Sequence, residues 1–260
     1  MKTRCAAVAG MFYPEEPQML AATVERLLDE AEPGSQQPPK ALIVPHAGYV
    51  YSGPIAATAY RQLEAVADRI TRVVLLGPAH RVPVAGMAFP SVDTFSVPTG
   101  EVPLDRKAID AALRLPGTCV SDQAHAFEHC LEVHLPFLQA VLGNFQLVPI
   151  VVGQAAATEV AAVLEALWGG DETLIVISSD LSHYHPYDEA RHIDAGTTAK
   201  IRTRSASLSG EEACGAYAIN GLMLAARAHG LTVQVLDVRN SGDTAGDRRQ
   251  VVGYGAYALA

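Results

Sequence analysis

The chain has 260 residues, 49% of them hydrophobic, and a formal net charge of −9. That apolar content supplies a core and excludes a disordered chain. The acidic balance, with no basic run longer than Arg248-Arg249, speaks against a nucleic-acid partner, because phosphate contacts need clustered Lys and Arg.

Lys2 and Arg4 lead into a short apolar stretch over 5–12 that imitates a secretory leader. The stretch stops at Tyr13-Pro14-Glu15-Glu16 without a cleavage pattern, so it is read as mature protein. No run reaches the roughly 18 apolar residues of a membrane span, and no membrane partner is expected. The cysteines Cys5, Cys119, Cys130 and Cys214 are widely spaced and form no CxxC pair. They are not a disulfide framework, and a cytoplasmic location is expected.

Helical spacing over 18–30 puts Leu20, Val24, Leu27 and Leu28 on one face, and a loop is expected over 33–39. A strand over 41–44 leads through a glycine-punctuated turn to a helix opened by Pro54 and ending near Val66. A second strand covers 72–76. Residues 86–105, dense in Pro, Val and Thr, suggest irregular strands. Helices are then expected over 105–113, 128–142 (with Pro136 inside), 155–168, 187–202 and 211–228. Strands are expected over 146–152, 174–178, 232–238 and 250–259. Alternating strands and helices are the signature of an α/β fold, here one domain with a central, mostly parallel or mixed sheet flanked by helices. No linker or repeat divides the chain.

Three of the apolar strands run into a histidine: His46, His80 and His183. In open α/β sheets the carboxyl ends of the strands line the ligand crevice. Three imidazoles there suggest a metal or proton-transfer site. His46 and His80 suit neutral imidazole ligation, and Asp180, Glu128, Glu132 and Cys214 are candidates for a third ligand. A carboxylate there favours iron(II), while a thiolate shifts preference toward copper or zinc. Within Ser178-Ser179-Asp180-Leu181-Ser182-His183, Asp180 is a candidate orienter and His183 an acid/base, with a turn or helix cap as the alternative. Glu128-His129-Cys130-Leu131-Glu132-Val133-His134 is a third cluster and is neither HExxH nor HxxEH. On a helix, Glu128, His129 and Glu132 share a face and His134 turns away. Cys214, taken alone, is a buried inert thiol. Gly253-Tyr254-Gly255-Ala256-Tyr257-Ala258 matches GxGxxA but has no helix after it, which excludes a dinucleotide fingerprint. No Walker A or GxSxG motif occurs, so a serine hydrolase lacks its nucleophile elbow.

Several blocks, in order, resemble the Memo family (mediator of ErbB2-driven cell motility), also called AmmeMemoRadiSam system protein B. They are Ala9-Gly10-Met11-Phe12-Tyr13-Pro14, Pro45-His46-Ala47-Gly48-Tyr49-Val50-Tyr51-Ser52-Gly53, Gly77-Pro78-Ala79-His80, the Glu128–Phe137 segment, the Ser178–His183 segment, Ala213-Cys214-Gly215 and Asn240-Ser241-Gly242-Asp243. The resemblance implies a single domain over 1–260 similar in fold to class III extradiol dioxygenases of the LigB type. It implies a metal site of His46, His80 and Cys214, with Asp180 and His183 at the acidic and acid/base positions. The thiolate in place of the dioxygenases' Glu departs from their ligand set. Position 130 is Cys where many relatives have Ser.

The expected protein therefore binds a metal in a dioxygenase-like site and is an iron- or copper-dependent oxidoreductase of a small substrate. Iron(II) comes first, and copper or zinc are the other candidates. Glu128, His129, Glu132 and His134 are further pocket candidates. The alternatives are a non-catalytic module binding a peptide or small ligand, and a zinc hydrolase using Glu128 or Glu132 to activate water.

Overall fold

In a computed structural model, residues 2–33 and 37–260 are described. The chain runs through β1 (Thr3–Arg4), α1 (Pro17–Asp29), β2 (Ala41–Val44), α2 (Tyr49–Tyr60), a 3-10 turn (Arg61–Val66) and β3 (Arg72–Pro78). It continues through β4 (Met87–Phe89), β5 (Thr94–Val97), β6 (Gly100–Pro103), α3 (Arg106–Ala112), β7 (Thr118–Val120) and α4 (Asp122–Ala126). After a 3-10 turn at Glu132–His134 come α5 (Leu135–Leu142), β8 (Gln146–Val152), α6 (Ala157–Leu167), β9 (Thr173–Ser178) and β10 (His183–His185). The last elements are α7 (Tyr187–Arg202), α8 (Ala216–Ala228), β11 (Val233–Asn240), a 3-10 turn (Ser241–Asp243) and β12 (Val251–Leu259). The loop expected over 33–39 lies partly outside the described residues.

The α/β expectation is met by a nine-stranded mixed sheet in the order β10-β12-β2-β9-β3-β8-β4-β7, with β11 on β12. Its centre, β2-β9-β3-β8, is parallel. The side chains of Leu42, Ile43, Val74, Leu75, Leu76, Ile175 and Val176 are fully buried there, as continuous apolar runs covered on both faces require. Helices α1, α2 and α5 pack on one another, and α6 packs on α3 and α8. A three-stranded sheet, β1-β5-β6, forms from the chain start and the excursion expected over 86–105.

Three helix boundaries differ from the sequence reading. Helix α2 begins at Tyr49, with Pro54 inside it. The carbonyl that Pro54 leaves without an N–H donor belongs to Val50, which is 65% exposed, so water can satisfy it. The helix expected over 128–142 is reduced to the 3-10 turn and α5. Glu128 Oε1 accepts the N–H groups of His129 (3.0 Å) and Cys130 (3.2 Å), a local bond that competes with the helix. Pro136 falls in the first turn of α5, where no N–H is needed. The helix expected from 211 begins only at Ala216. Before it, Cys214 N–H bonds Asp180 O (3.3 Å) and Gly215 N–H bonds Ser179 Oγ (2.9 Å), so tertiary bonds displace a helical turn.

Candidate metal centre

Parallel register brings the site together. Val44 pairs with Ser178 across β2 and β9, and Leu76 pairs with Ile177 across β3 and β9. His46 and Asp180 each lie two residues beyond a paired position, and His80 two beyond the end of β3. All three therefore leave the same edge of the sheet. The backbone N–H of His46 donates to Asp180 Oδ1 at 2.7 Å.

His46 is 2% exposed, and its Nδ1 lies 2.6 Å from Ser178 Oγ. That hydroxyl donates its own proton to Cys130 O at 2.7 Å. It can therefore only accept from His46, which places the ring proton on Nδ1 and leaves Nε2 with a free lone pair. His80 is held likewise. Its Nδ1 donates to Glu128 Oε1 at 2.9 Å and its backbone N–H to Glu128 Oε2 at 2.7 Å. Burial raises the Glu128 carboxyl, but hydrogen bonds and charge from His80 outweigh it and hold the group down at about 2. It stays an anion and engages Nδ1, so Nε2 is the nitrogen that His80 turns away from it. The two rings meet edge to face, 5.1 Å apart at 72°. Burial, then repulsion from His80, keeps the His46 pKa well below the usual imidazole range, so the ring is neutral.

Cys214 Sγ lies 3.5 Å from His46 Nε2 and 3.3 Å from Asp180 N. Burial, then the charge of Asp180, pushes the thiol up to about 12. Burial also raises Asp180 to about 7, against the hydrogen bond from His46 N–H. His183 is half-buried, its pKa lowered by burial and then by His80. His46, His80, His129, Asp180 and His183 line one cavity of about 1060 Å³, with Phe12, Tyr51, Tyr184 and Tyr254 on its walls and Arg81 and Arg249 at its margin. Arg81 makes no ion pair among the described residues. Tyr184 holds a left-handed backbone (φ 60°), a strained state for a non-glycine residue that collects at functional sites.

The sequence cluster around Glu128 divides. His129 joins the cavity wall, and burial lowers its pKa to about 4. Its ring stacks on His80 at 4.7 Å and 24° and contacts Phe12 at 4.8 Å. Glu128 stands behind His80. Glu132 and His134 do not line the cavity, which corrects their reading as pocket residues. Glu132 is fully buried and accepts from Arg4, from Tyr13 Oη–H, and from the N–H groups of Ala7 (2.8 Å) and Val8 (3.0 Å). His134 Nδ1 lies 2.8 Å from Tyr60 Oη, beneath α2. No lone pair of Glu132 is left for a water, so a hydrolytic base there has no support. The role of Ser178 as acceptor for His46 has no local signature.

Among the described residues, ligand atoms of His46, His80 and His129 lie within 4.8 Å of one another, as do those of His80, Glu128 and Cys130. The donor set suits a transition metal: the buried His46 and the exposed His80 are each oriented through Nδ1, which leaves Nε2 to face a metal, in the manner of metal-binding histidines. The structure thus holds candidate metal-binding groups of His, Glu and Cys. No helix among the described residues is long and apolar enough to cross a membrane.

Comparison with known proteins shows which family the chain resembles over its length. A family model described as Memo-like protein matches residues 4–258. A MEMO1 family protein of Aquifex aeolicus is 36% identical over 98% of both chains. Another, from Methanothermobacter thermautotrophicus, is 35% identical over 96% of this chain and 98% of that one. An uncharacterised Escherichia coli K12 protein of known structure shares the fold at a TM-score of 0.52, with 13% identity over 82% of this chain and 98% of its own. With near-complete coverage of both sequences and with His46, His80, Asp180 and His183 around one cavity, this chain belongs to the Memo family.

Proposed function

We propose that the chain is a metalloprotein whose centre is held by His46, His80 and Cys214, and that it oxidises a small substrate in the cavity with O2. The observation that carries this reading is that Ser178 and Glu128 each engage the Nδ1 of one histidine, which leaves the Nε2 of His46 and of His80 for a metal. Iron(II) is the first candidate metal and copper the second, because two imidazoles with open positions suit iron(II) while a thiolate favours copper. Such a metal supplies electron transfer and oxygen chemistry when bound.

Cys214 Sγ already faces His46 Nε2, and a thiol loses its proton on metal ligation. His129 is the competing third donor. Its ring stacks on His80 and contacts Phe12, which favours a packing role for it. It serves instead as a wall, with Phe12. Asp180 holds a proton near neutrality and braces the His46 backbone. His183, neutral and reachable from the cavity, takes or returns a proton at the substrate. Four free cysteines fit a reducing, cytoplasmic setting.

The test is anaerobic purification with metal analysis of the wild type and of His46→Ala, His80→Ala, Cys214→Ser and His129→Ala. The expected result is near-stoichiometric iron or copper, lost in the first three variants and kept in the fourth. Background metal in the wild type overturns the reading. Loss in His129→Ala with retention in Cys214→Ser overturns the ligand set. The unpaired Arg81 favours a second reading, an anion-binding crevice without turnover. Saturable ligand binding without O2 consumption by the metal-loaded protein selects it.

A further inference from the structure

The block Asn240-Ser241-Gly242-Asp243 takes no part in the metal centre, yet it roots a segment that walls the large cavity. Ser241, Gly246, Asp247, Arg249 and Gln250, all between β11 and β12, line that cavity. The root is pinned to the sheet. Ser241 Oγ accepts the Val252 N–H at 3.1 Å, and Ser241 O accepts those of Thr244 (3.3 Å) and Gly246 (2.7 Å). Asn240 Oδ1 accepts the Gly242 N–H at 2.9 Å, and Asn240 N–H donates to Asp243 Oδ2 at 3.1 Å. Beyond that root, residues 243–250 add no side chain to the apolar core of the described residues.

This outer part is fastened instead by a solvent-facing clasp to the start of α7. Tyr187 Oη donates to Asp243 Oδ1 at 2.5 Å, and Tyr187 N–H donates to Arg248 O at 3.2 Å. The Arg248 guanidinium lies over the Tyr187 ring at 4.3 Å and reaches Asp243 at 4.0 Å, with its side chain 66% exposed. Arg249 is paired within the segment, with Asp247 at 2.8 Å. Gly242 lies under the clasp. A Cβ there would meet Arg248 Cγ at 3.0 Å and Tyr187 Cδ2 at 3.1 Å, so the clasp closes onto a residue that leaves it room. Segments held by exposed polar contacts, without apolar burial, are the ones that open locally most readily.

We infer that residues 243–250 are a strap that opens and closes the large cavity, swinging on the root at Ser241 and Val252 and latched by Tyr187, Asp243 and Arg248. The latch sits at the entry to α7, four residues after His183. Strand pairing sets His183 against Val252, the other foot of the strap. His183 and the strap therefore share a base, and release of the latch uncovers His183 without moving it. The inference stands on this geometry and needs no metal at His46 and His80.

Limited trypsin digestion of the full chain, read by mass spectrometry, tests the latch, because the strap carries its own cleavage sites at Arg248 and Arg249. Tyr187→Phe keeps the ring under Arg248 and removes one hydrogen bond to a carboxylate. It is expected to raise cleavage at these sites about three- to tenfold with the melting temperature unchanged. Gly242→Ala, which wedges the latch from below, is expected to raise it as well. Site-mapped carbethoxylation by diethyl pyrocarbonate reads access to the cavity. In Tyr187→Phe, His183 is expected to react faster by the same factor, while His229, stacked on Trp168 outside the cavity, keeps the wild-type rate. Unchanged cleavage at Arg248 and Arg249 in Tyr187→Phe overturns the latch. Faster cleavage with an unchanged His183 rate overturns the gate. An equal rise at His229 overturns it too, as general loosening of the fold.

Discussion

Glu128 binds His80 twice, through its ring Nδ1 and through its backbone N–H, and so fixes the ring's rotation, tautomer and position together. The carboxylate does this while 2% exposed, with further N–H donors from His129 and Cys130. In Glu128→Gln the amide loses the negative charge and one acceptor. Metal affinity is expected to fall by about ten- to a hundredfold, as for other losses behind a ligating histidine. Chelator competition measures this, and unchanged affinity would remove Glu128 from any role in the site.

Glu132 makes a different prediction, because it serves the fold. Its ion pair with Arg4 is buried at both ends, and four donors converge on one carboxylate. Removing one partner of a buried pair strands the other, so Glu132→Ala is expected to cost about 3–5 kcal/mol. Urea unfolding reads this. A variant as stable as the wild type contradicts the assignment.

Gly77 has no room for a side chain. A Cβ there would meet Cys130 Sγ at 2.5 Å, Leu131 Cδ2 at 2.9 Å and Ser178 Cβ at 3.2 Å. Gly77→Ala is expected to destabilise the fold by about 1–3 kcal/mol through overpacking. It should also disturb the Ser178–His46 bond, visible as a shifted imidazole nitrogen resonance. Neither change should appear in Gly143→Ala by this route, since nothing lies within 4 Å of a Cβ there, although its φ of 69° strains the backbone.

Acid should weaken the fold through histidines held neutral. Burial lowers His125 to about 4, and burial then His129 lower His134 to about 3. Between those values and the unfolded pKa near 6.5, the unfolded chain binds the extra protons. This contribution is fully present above about pH 6.5 and is lost as the pH falls toward 4 and below. The slope is up to about 1.4 kcal/mol per pH unit for each group. Denaturant unfolding from pH 7 to pH 4 tests the sign, and His125→Phe should flatten the slope by one proton. A slope of opposite sign would show that these rings are charged in the fold.

Several parts of this molecule were legible in the chain. The runs ending at Val44, Pro78 and Ser178 are apolar and branched without polar alternation, and only a buried parallel strand tolerates that pattern. His46, His80 and Asp180 follow within two residues, so their delivery to one edge follows from strand direction alone. Helix α7 was legible to the residue, because its acidic first turn and basic last turn mark both ends.

Other features depend on contacts that carry no local signal. Residues 128–131 have the composition of a helix, yet the Glu128 side chain takes their N–H groups while it holds His80, which lies 48 residues earlier. Glu132 reads as a pocket acid until Arg4, far away in sequence, claims it. Cys214 reads as an inert thiol and His129 as a helix-face residue, and the packing of distant loops puts both beside His46. By itself the sequence determined the parallel strands and the histidines at their ends, because hydrophobic period and strand polarity are properties of neighbours along the chain. The tertiary structure alone decided which imidazole nitrogen is free, which acids are engaged and which thiol faces the centre, because each of those is fixed by a partner from another part of the chain.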